Sequence, residues 1–282
     1  MQALKQHWRH QLAASAFGGK RPKLRKPGRP TPPLAQEEAY TKELQAKFVE
    51  PYREAAARIL IPRLPMLVAQ AERERRDAGT WRSNLDKVVE LVSATHSNEQ
   101  THQTAVKAAT AMAVGVNRRN AEEVHRMLVR AVGVDIWQHE PHLNEFTTRT
   151  IKKNVDYITT IKTQQLKQVA EVVETGIRRG LRVEVIAKDI EKRFDVSASR
   201  AKLIARDQVG SFNGELMQMR QQGLGVEGYI WRGMLDSRER DEHVEREGER
   251  FAWSDPPDGG HPGDDYQCRC TAEPDFSFLD KP

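Results

Sequence analysis

Along most of this chain apolar residues recur every three or four positions, the spacing that places them on one face of an α-helix. From Ala35 onward that pattern dominates. Pro51, Pro62 and Pro65 are expected to cut the first stretch into pieces, and Gly79 ends a charged run containing Glu72, Arg73, Glu74, Arg75 and Arg76. A second set extends from about residue 81 to 132, with breaks expected near His96-Ser97-Asn98 and near Gly115. Together these read as three or four helices packed side by side. The longest uninterrupted pattern covers residues 144 to 179, where Phe146, Ile151, Val155, Ile158, Ile161, Val169, Val172 and Ile177 recur at helical intervals and Gly180 stands as a C-terminal stop. It predicts a long spine helix. A shorter helix is expected over residues 183 to 194. Ser197 or Ser199 then offers an N-cap for another, with Ala201, Ile204, Ala205, Val209, Phe212, Leu216 and Met219 as its apolar stripe.

After Gly223 the texture changes. Tyr229-Ile230-Trp231 reads as a short strand, Cys268-Arg269-Cys270-Thr271-Ala272 reads as another, and between them lie charged and turn-forming residues. The expected fold is mainly α, an elongated helical body with a small, loop-rich C-terminal α+β unit. Four stretches follow from the composition: an arm over 1–34, a helical region over 35–140, a second helical part over 141–222 and the α+β unit over 223–282. No internal repeat is present.

Composition sharpens this picture in two places. At 282 residues and 32.2 kDa the chain can bury a sizeable core, yet its hydrophobic fraction of 38%, charged fraction of 30% and mean hydropathy of -0.71 are extreme for a compact globule. Such a chain is expected to lean on partners. The formal charge of +5 is also one-sided: residues 1–34 hold eight of the 45 basic residues and no acid, leaving 37 basic against 40 acidic residues elsewhere. The stretch from Gly18 through Pro33 mixes prolines, glycines and like charges, which cannot pack a core and predicts a flexible tether. No apolar run is long enough to span a membrane, the first residues lack the apolar stretch of a secretory signal, and two cysteines do not make a disulfide scaffold. Synthesis in a reducing cytoplasm is expected.

Ser199-Arg200-Ala201, Ile204-Ala205-Arg206-Asp207-Gln208 and Asn213 precede Gly225, Tyr229, Trp231, Asp236, Arg238, His243, Gly248, Phe251, Pro257, His261-Pro262-Gly263 and Cys268-Arg269-Cys270. In this order and at this spacing, the set resembles the phage Mu F-type minor head protein family, also called the phage head morphogenesis domain, over about residues 140 to 275. The resemblance implies a virion component of a tailed phage or prophage, present in few copies inside the capsid near the portal vertex. Its implied partners are the portal protein, scaffold or major capsid protein, and packaged double-stranded DNA. It implies no established catalytic activity, and it makes Trp231, Asp236, Arg238, Gly248 and Arg269 structural markers. The chain departs from the family pattern at Asp207-Gln208 and at Asp241-Glu242.

Several constellations carry candidate chemistry. Cys268 and Cys270 lie two apart, so on an extended strand both thiols share a face and can grip one ion, whereas a disulfide between them would be strained. With His243 and His261 they would complete a Cys2His2 set for a structural zinc ion. A buried thiol pair with loop-bonded histidines is the alternative. Asp236, Arg238, Asp241, Glu242 and His243 could form a hydrolytic centre, which would make the protein a metal-dependent nuclease or toxin-like effector; the competing and preferred reading is a solvated loop in which Asp236 pairs with Arg238. Arg200 and Arg206 are expected to pair with carboxylates such as Asp207 and Glu215, and Trp231 and Tyr229 to serve as core rather than to stack on a base. In the arm, Lys20, Arg21, Lys23, Arg25, Lys26 and Arg29 have no acid nearby and are expected to find partners elsewhere, on DNA phosphates or an acidic protein surface, unless the arm merely solubilises the chain. The expectation overall is a non-enzymatic minor capsid protein.

Overall fold

The computed structural model describes residues 24–74, 80–133 and 143–279. Their element order is α1 (Leu34–Phe48), α2 (Glu50–Ala55), α3 (Leu64–Arg73), α4 (Thr80–Ala94), α5 (Asn98–Val132), α6 (Leu143–Arg178), α7 (Val183–Gly223), β1 (Gly228–Arg232), α8 (Asp241–Glu245), β2 (Arg250–Ala252) and β3 (Thr271–Pro274). The mainly helical fold with a small C-terminal sheet is therefore as expected. Contacts divide the described residues into two compact units, one from those within 38–111 and 149–205, the other from those within 24–37, 112–148 and 206–279. Each unit is assembled from segments far apart in sequence, where the sequence reading cut the chain into consecutive stretches.

The first unit is helical throughout. Its prolines sit where a helix tolerates them: Pro51 in the first turn of α2, Pro62 in a 3-10 turn at Ile61–Arg63 and Pro65 in the first turn of α3. A π-helical turn at Ala56–Leu60 joins α2 to that 3-10 turn, so the chain remains helical through all three prolines. The break before α5 has a cause in Ser97. Its hydroxyl accepts the Gln100 amide at 3.1 Å while the Gln100 side chain accepts the Ser97 amide at 3.0 Å, a reciprocal cap. α6 ends at Gly180, in the left-handed region at φ 67, with Leu181 N–H bonding the Gly176 carbonyl at 2.9 Å. Two buried side chains tie the interior to backbone carbonyls: Gln165 donates to that of Phe48 at 2.7 Å, and Lys162 to that of His96 at 2.8 Å.

Two expected helix breaks are absent. α5 runs straight through Gly115, and α7 is one helix of 41 residues where two were expected. The serines read as caps are inside it: Ser197 bonds the Arg193 carbonyl at 3.1 Å and Ser199 the Asp195 carbonyl at 3.0 Å, each four residues back.

The second unit packs the ends of α5 and α7 against a three-stranded antiparallel sheet of order β2-β1-β3. β1 pairs Tyr229 with Phe251 of β2 and Trp231 with Ala272 of β3. Its core joins Val124 and Met127 of α5, Met217 of α7, Tyr229, Trp231, Trp253, Ala272 and both cysteines. Tyr229 and Trp231 are thus core residues, as expected. The second strand was expected to include Cys268 and Cys270, but β3 begins at Thr271 and the cysteines lie in the loop before it.

Candidate metal centre

The sheet unit brings three sequence-distant segments together. β1 carries Trp231 into the core, the chain then loops through residues 233–240, and α8 turns His243 inward until it is 3% exposed. The third segment, residues 261–270, lies against α7. Glycine makes that approach possible, because a Cβ at Gly214 would fall 2.4 Å from the Pro262 carbonyl oxygen. Packing the 261–270 loop this closely delivers both thiols to the imidazole.

Cys268 Sγ lies 3.8 Å and Cys270 Sγ 3.4 Å from His243 Nδ1, and the three donor atoms all lie within 4.8 Å of one another. A tetrahedral zinc with Zn–S of about 2.3 Å and Zn–N of about 2.0 Å separates sulfur from nitrogen by about 3.5 Å. The two observed separations bracket that value. The other nitrogen, Nε2, faces Asp265 Oδ2 at 3.5 Å, the carboxylate–histidine relation that leaves Nδ1 free to accept a metal. Two soft sulfurs and an imidazole form a donor set suited to zinc, so the residues present can hold such an ion.

The electrostatics of the cluster are those of one shared negative charge. Hydrogen bonds from Cys270 and His243 bring the Cys268 thiol below its ordinary value, against burial. The neighbouring Cys268 sulfur and burial push Cys270 up, and Cys268 raises His243 although burial opposes it. Cys270 Sγ also lies 3.1 Å from Glu239 Oε1. Beside the sulfurs is a pocket of about 20 Å³ lined by Met234, Arg238, Glu239, Arg240, His243, Gln267 and residues 268–270. A water or ion needs roughly 10–15 Å³, so this space suits an ion rather than an organic substrate.

Ion pairs brace the surrounding loops. Arg269 clasps Asp236 with two bonds of 2.7 and 2.6 Å, and Arg238 adds a third contact at 3.2 Å. Arg269 holds the Asp236 carboxyl well below the usual carboxylate range. Arg240 pairs with Asp265 at 3.0 Å and Arg232 with Glu273 at 2.6 Å. Gly248, at φ 83, turns the chain from α8 into β2 and donates its N–H to the Trp231 carbonyl at 2.9 Å.

The expected metal ligands are therefore three-quarters assembled. His261 stands apart: its Nδ1 meets the Tyr229 hydroxyl at 3.0 Å, its ring packs on Trp253 at 4.8 Å, and burial lowers its pKa. It belongs to the aromatic core. Sequence reading missed Glu239, Asp265 and Gly233, which are ordinary residue types in a charged, glycine-bearing loop. Arg206 pairs with a carboxylate, as expected, and the partner is Glu37 at 3.0 Å. Of the arm, Lys20, Arg21 and Lys23 lie outside the described residues, and Arg25 and Lys26 are exposed. Arg29 finds an acid within this chain, Glu247 at 2.9 Å, and also bonds the Gly233 carbonyl, so its charge is met without an outside partner.

Comparison with known proteins bears on this same stretch. Residues 167–273 match the family described as Phage Mu protein F like protein, confirming the resemblance carried by Trp231, His243 and the two cysteines. A 160-residue stretch is 32% identical to an uncharacterized protein of Haemophilus influenzae, covering 55% of this chain and 36% of that protein. The chain thus spans little more than a third of that relative's length. No solved structure matches the chain.

Proposed function

We propose that this protein is a minor head component of a tailed phage or prophage. In this reading it docks on the portal inside the procapsid, near the portal vertex, and places its basic N-terminal residues on packaged double-stranded DNA. The observation that carries the reading is the match of residues 167–273 to the Mu F-like family, which takes in the end of α6, all of α7 and the sheet as far as Glu273. No helix among the described residues is long and apolar enough to cross a membrane. The role is attachment without turnover. In support, the pocket beside His243 has room for little more than an ion, and the Asp236 carboxylate that a hydrolytic centre would use is occupied by Arg269 and Arg238.

Within that role, His243, Cys268 and Cys270 hold one structural zinc ion. A bound ion supplies cross-linking in a loop region rich in glycine and proline, and its binding energy adds to folding. Metal analysis of protein purified without added metal tests this directly, with about one zinc per chain expected. The assembly role is tested by isolating procapsids from induced cells carrying a tagged full-length chain. The tag is expected to sediment with portal in few copies per particle. A tag left wholly in the unassembled fraction would overturn the assignment.

A further inference from the structure

We propose that Glu239, rather than a second histidine, is the fourth ligand of the metal centre. This deepens the zinc reading and rests on it. A tetrahedral site on His243, Cys268 and Cys270 lacks one donor, and the Glu239 carboxylate lies against one of its sulfurs. The Cys270 thiol donates to Glu239 Oε1 at 3.1 Å, and loss of that proton to a shared tetrahedral ion would need the oxygen to move only to a sulfur–oxygen separation of about 3.5 Å.

Two independent features hold that carboxylate in place. Its other oxygen accepts the Leu235 N–H, and Leu235 adopts φ 56 to present it, a conformation a branched side chain rarely takes. Gly233 leaves the necessary space: a Cβ there would come within 2.3 Å of Oε1. The strained leucine and the bare glycine make sense together if the position of this one carboxylate matters. His261, by contrast, is committed to Tyr229 and Trp253.

The experiment uses the full-length chain stripped with chelator, then titrated with cobalt(II) and, in competition with a chromophoric chelator, with zinc. Wild type is expected to take one equivalent of cobalt with thiolate charge-transfer bands and the intense ligand-field bands of tetrahedral coordination. Glu239→Gln should keep the charge-transfer bands, shift the ligand-field bands and bind zinc weaker by about tenfold or more. Gly233→Ala, which retains the carboxylate but displaces it, should weaken zinc in the same direction, and this variant serves if Glu239→Gln fails to fold. His261→Ala should leave both spectra and affinity unchanged. Wild type that takes up no metal would sink the zinc reading and this inference together. Metal binding that is equal in wild type, Glu239→Gln and Gly233→Ala would remove Glu239 alone and leave the three-ligand site standing. Weakening on His261→Ala would give the fourth position back to histidine.

Discussion

The side chain that organises the loops around the thiols is Asp236. It receives both arms of the Arg269 guanidinium, the Arg238 guanidinium and, at 3.0 Å, the Arg238 backbone N–H. Arg269 stands between the two cysteines, so this clasp fixes the short segment from which both thiols project. Because its folded pKa lies below the value of about 3.9 expected for an unfolded chain, the carboxylate contributes stability at neutral pH that is lost as pH falls below about 4. Asp236→Asn should therefore unfold more easily than wild type at pH 7, and the gap should narrow as the solution is acidified; chemical denaturation across that range checks it. A gap that stayed constant would mean the carboxylate charge is not what Arg269 needs. At this scale the sequence was legible where residue types are scarce. Two cysteines and two histidines stood out by their chemistry, and three of the four converge, while His261 joins the aromatic core. Glu239 did not stand out, because Glu242, Glu245, Glu247 and Glu249 crowd the same stretch and only the fold selects among them.

Among the elements, α7 shows what periodicity could and could not say. Its apolar positions were readable, but Asp195-Val196-Ser197-Ala198-Ser199 has the composition of a cap, and only the backward bonds of the serine hydroxyls to carbonyls four residues earlier reveal an unbroken helix. The two thiols were placed on a strand for a similar reason. Alternation over residues 268–272 looked extended, while the hydrogen-bonded ladder starts at Thr271. Glycine inside a helix likewise has two meanings that spacing cannot separate. Gly115 in α5 has nothing within 4 Å of an added Cβ, whereas Gly214 in α7 faces the Pro262 carbonyl at 2.4 Å. Gly115→Ala should thus stabilise the protein by about 0.4–1 kcal/mol, by restricting the unfolded chain. Gly214→Ala should cost about 1–3 kcal/mol, because backbone and loop must move apart. Thermal unfolding of both variants reads opposite shifts of Tm. Gly214→Ala should also weaken metal binding, since the displaced loop carries both thiols.

For the whole molecule the open question is how the basic N-terminal residues divide between folding and binding. Residues 24–33 lie on the sheet unit: Arg25 N–H bonds the Ala131 carbonyl at 3.0 Å, Arg29 pairs with Glu247, and Thr31 N–H bonds the buried Glu123 carboxylate at 2.9 Å. Composition alone grouped these residues with the arm, because a proline-rich strand docked by isolated hydrogen bonds leaves no hydrophobic period to detect. The two parts separate by truncation. Removing residues 1–23 deletes five basic residues, namely Lys5, Arg9, Lys20, Arg21 and Lys23, without touching any of these bonds, and should lower Tm less than the longer truncation does. Removing residues 1–33 should lower it, because Glu123 then loses its Thr31 partner within the fold. Binding to double-stranded DNA should respond differently. Each basic residue that neutralises a phosphate adds about 0.9 to the slope of log affinity against log salt, so the shorter truncation should flatten that slope by up to about 4.5. The further loss of Arg25 and Lys26, exposed on the docked strand, should add up to about 1.8. Arg29 should add nothing, since Glu247 already holds it. Equal salt slopes for full-length and truncated chains would show that the basic residues serve a protein partner, and would move the DNA contact elsewhere on the molecule.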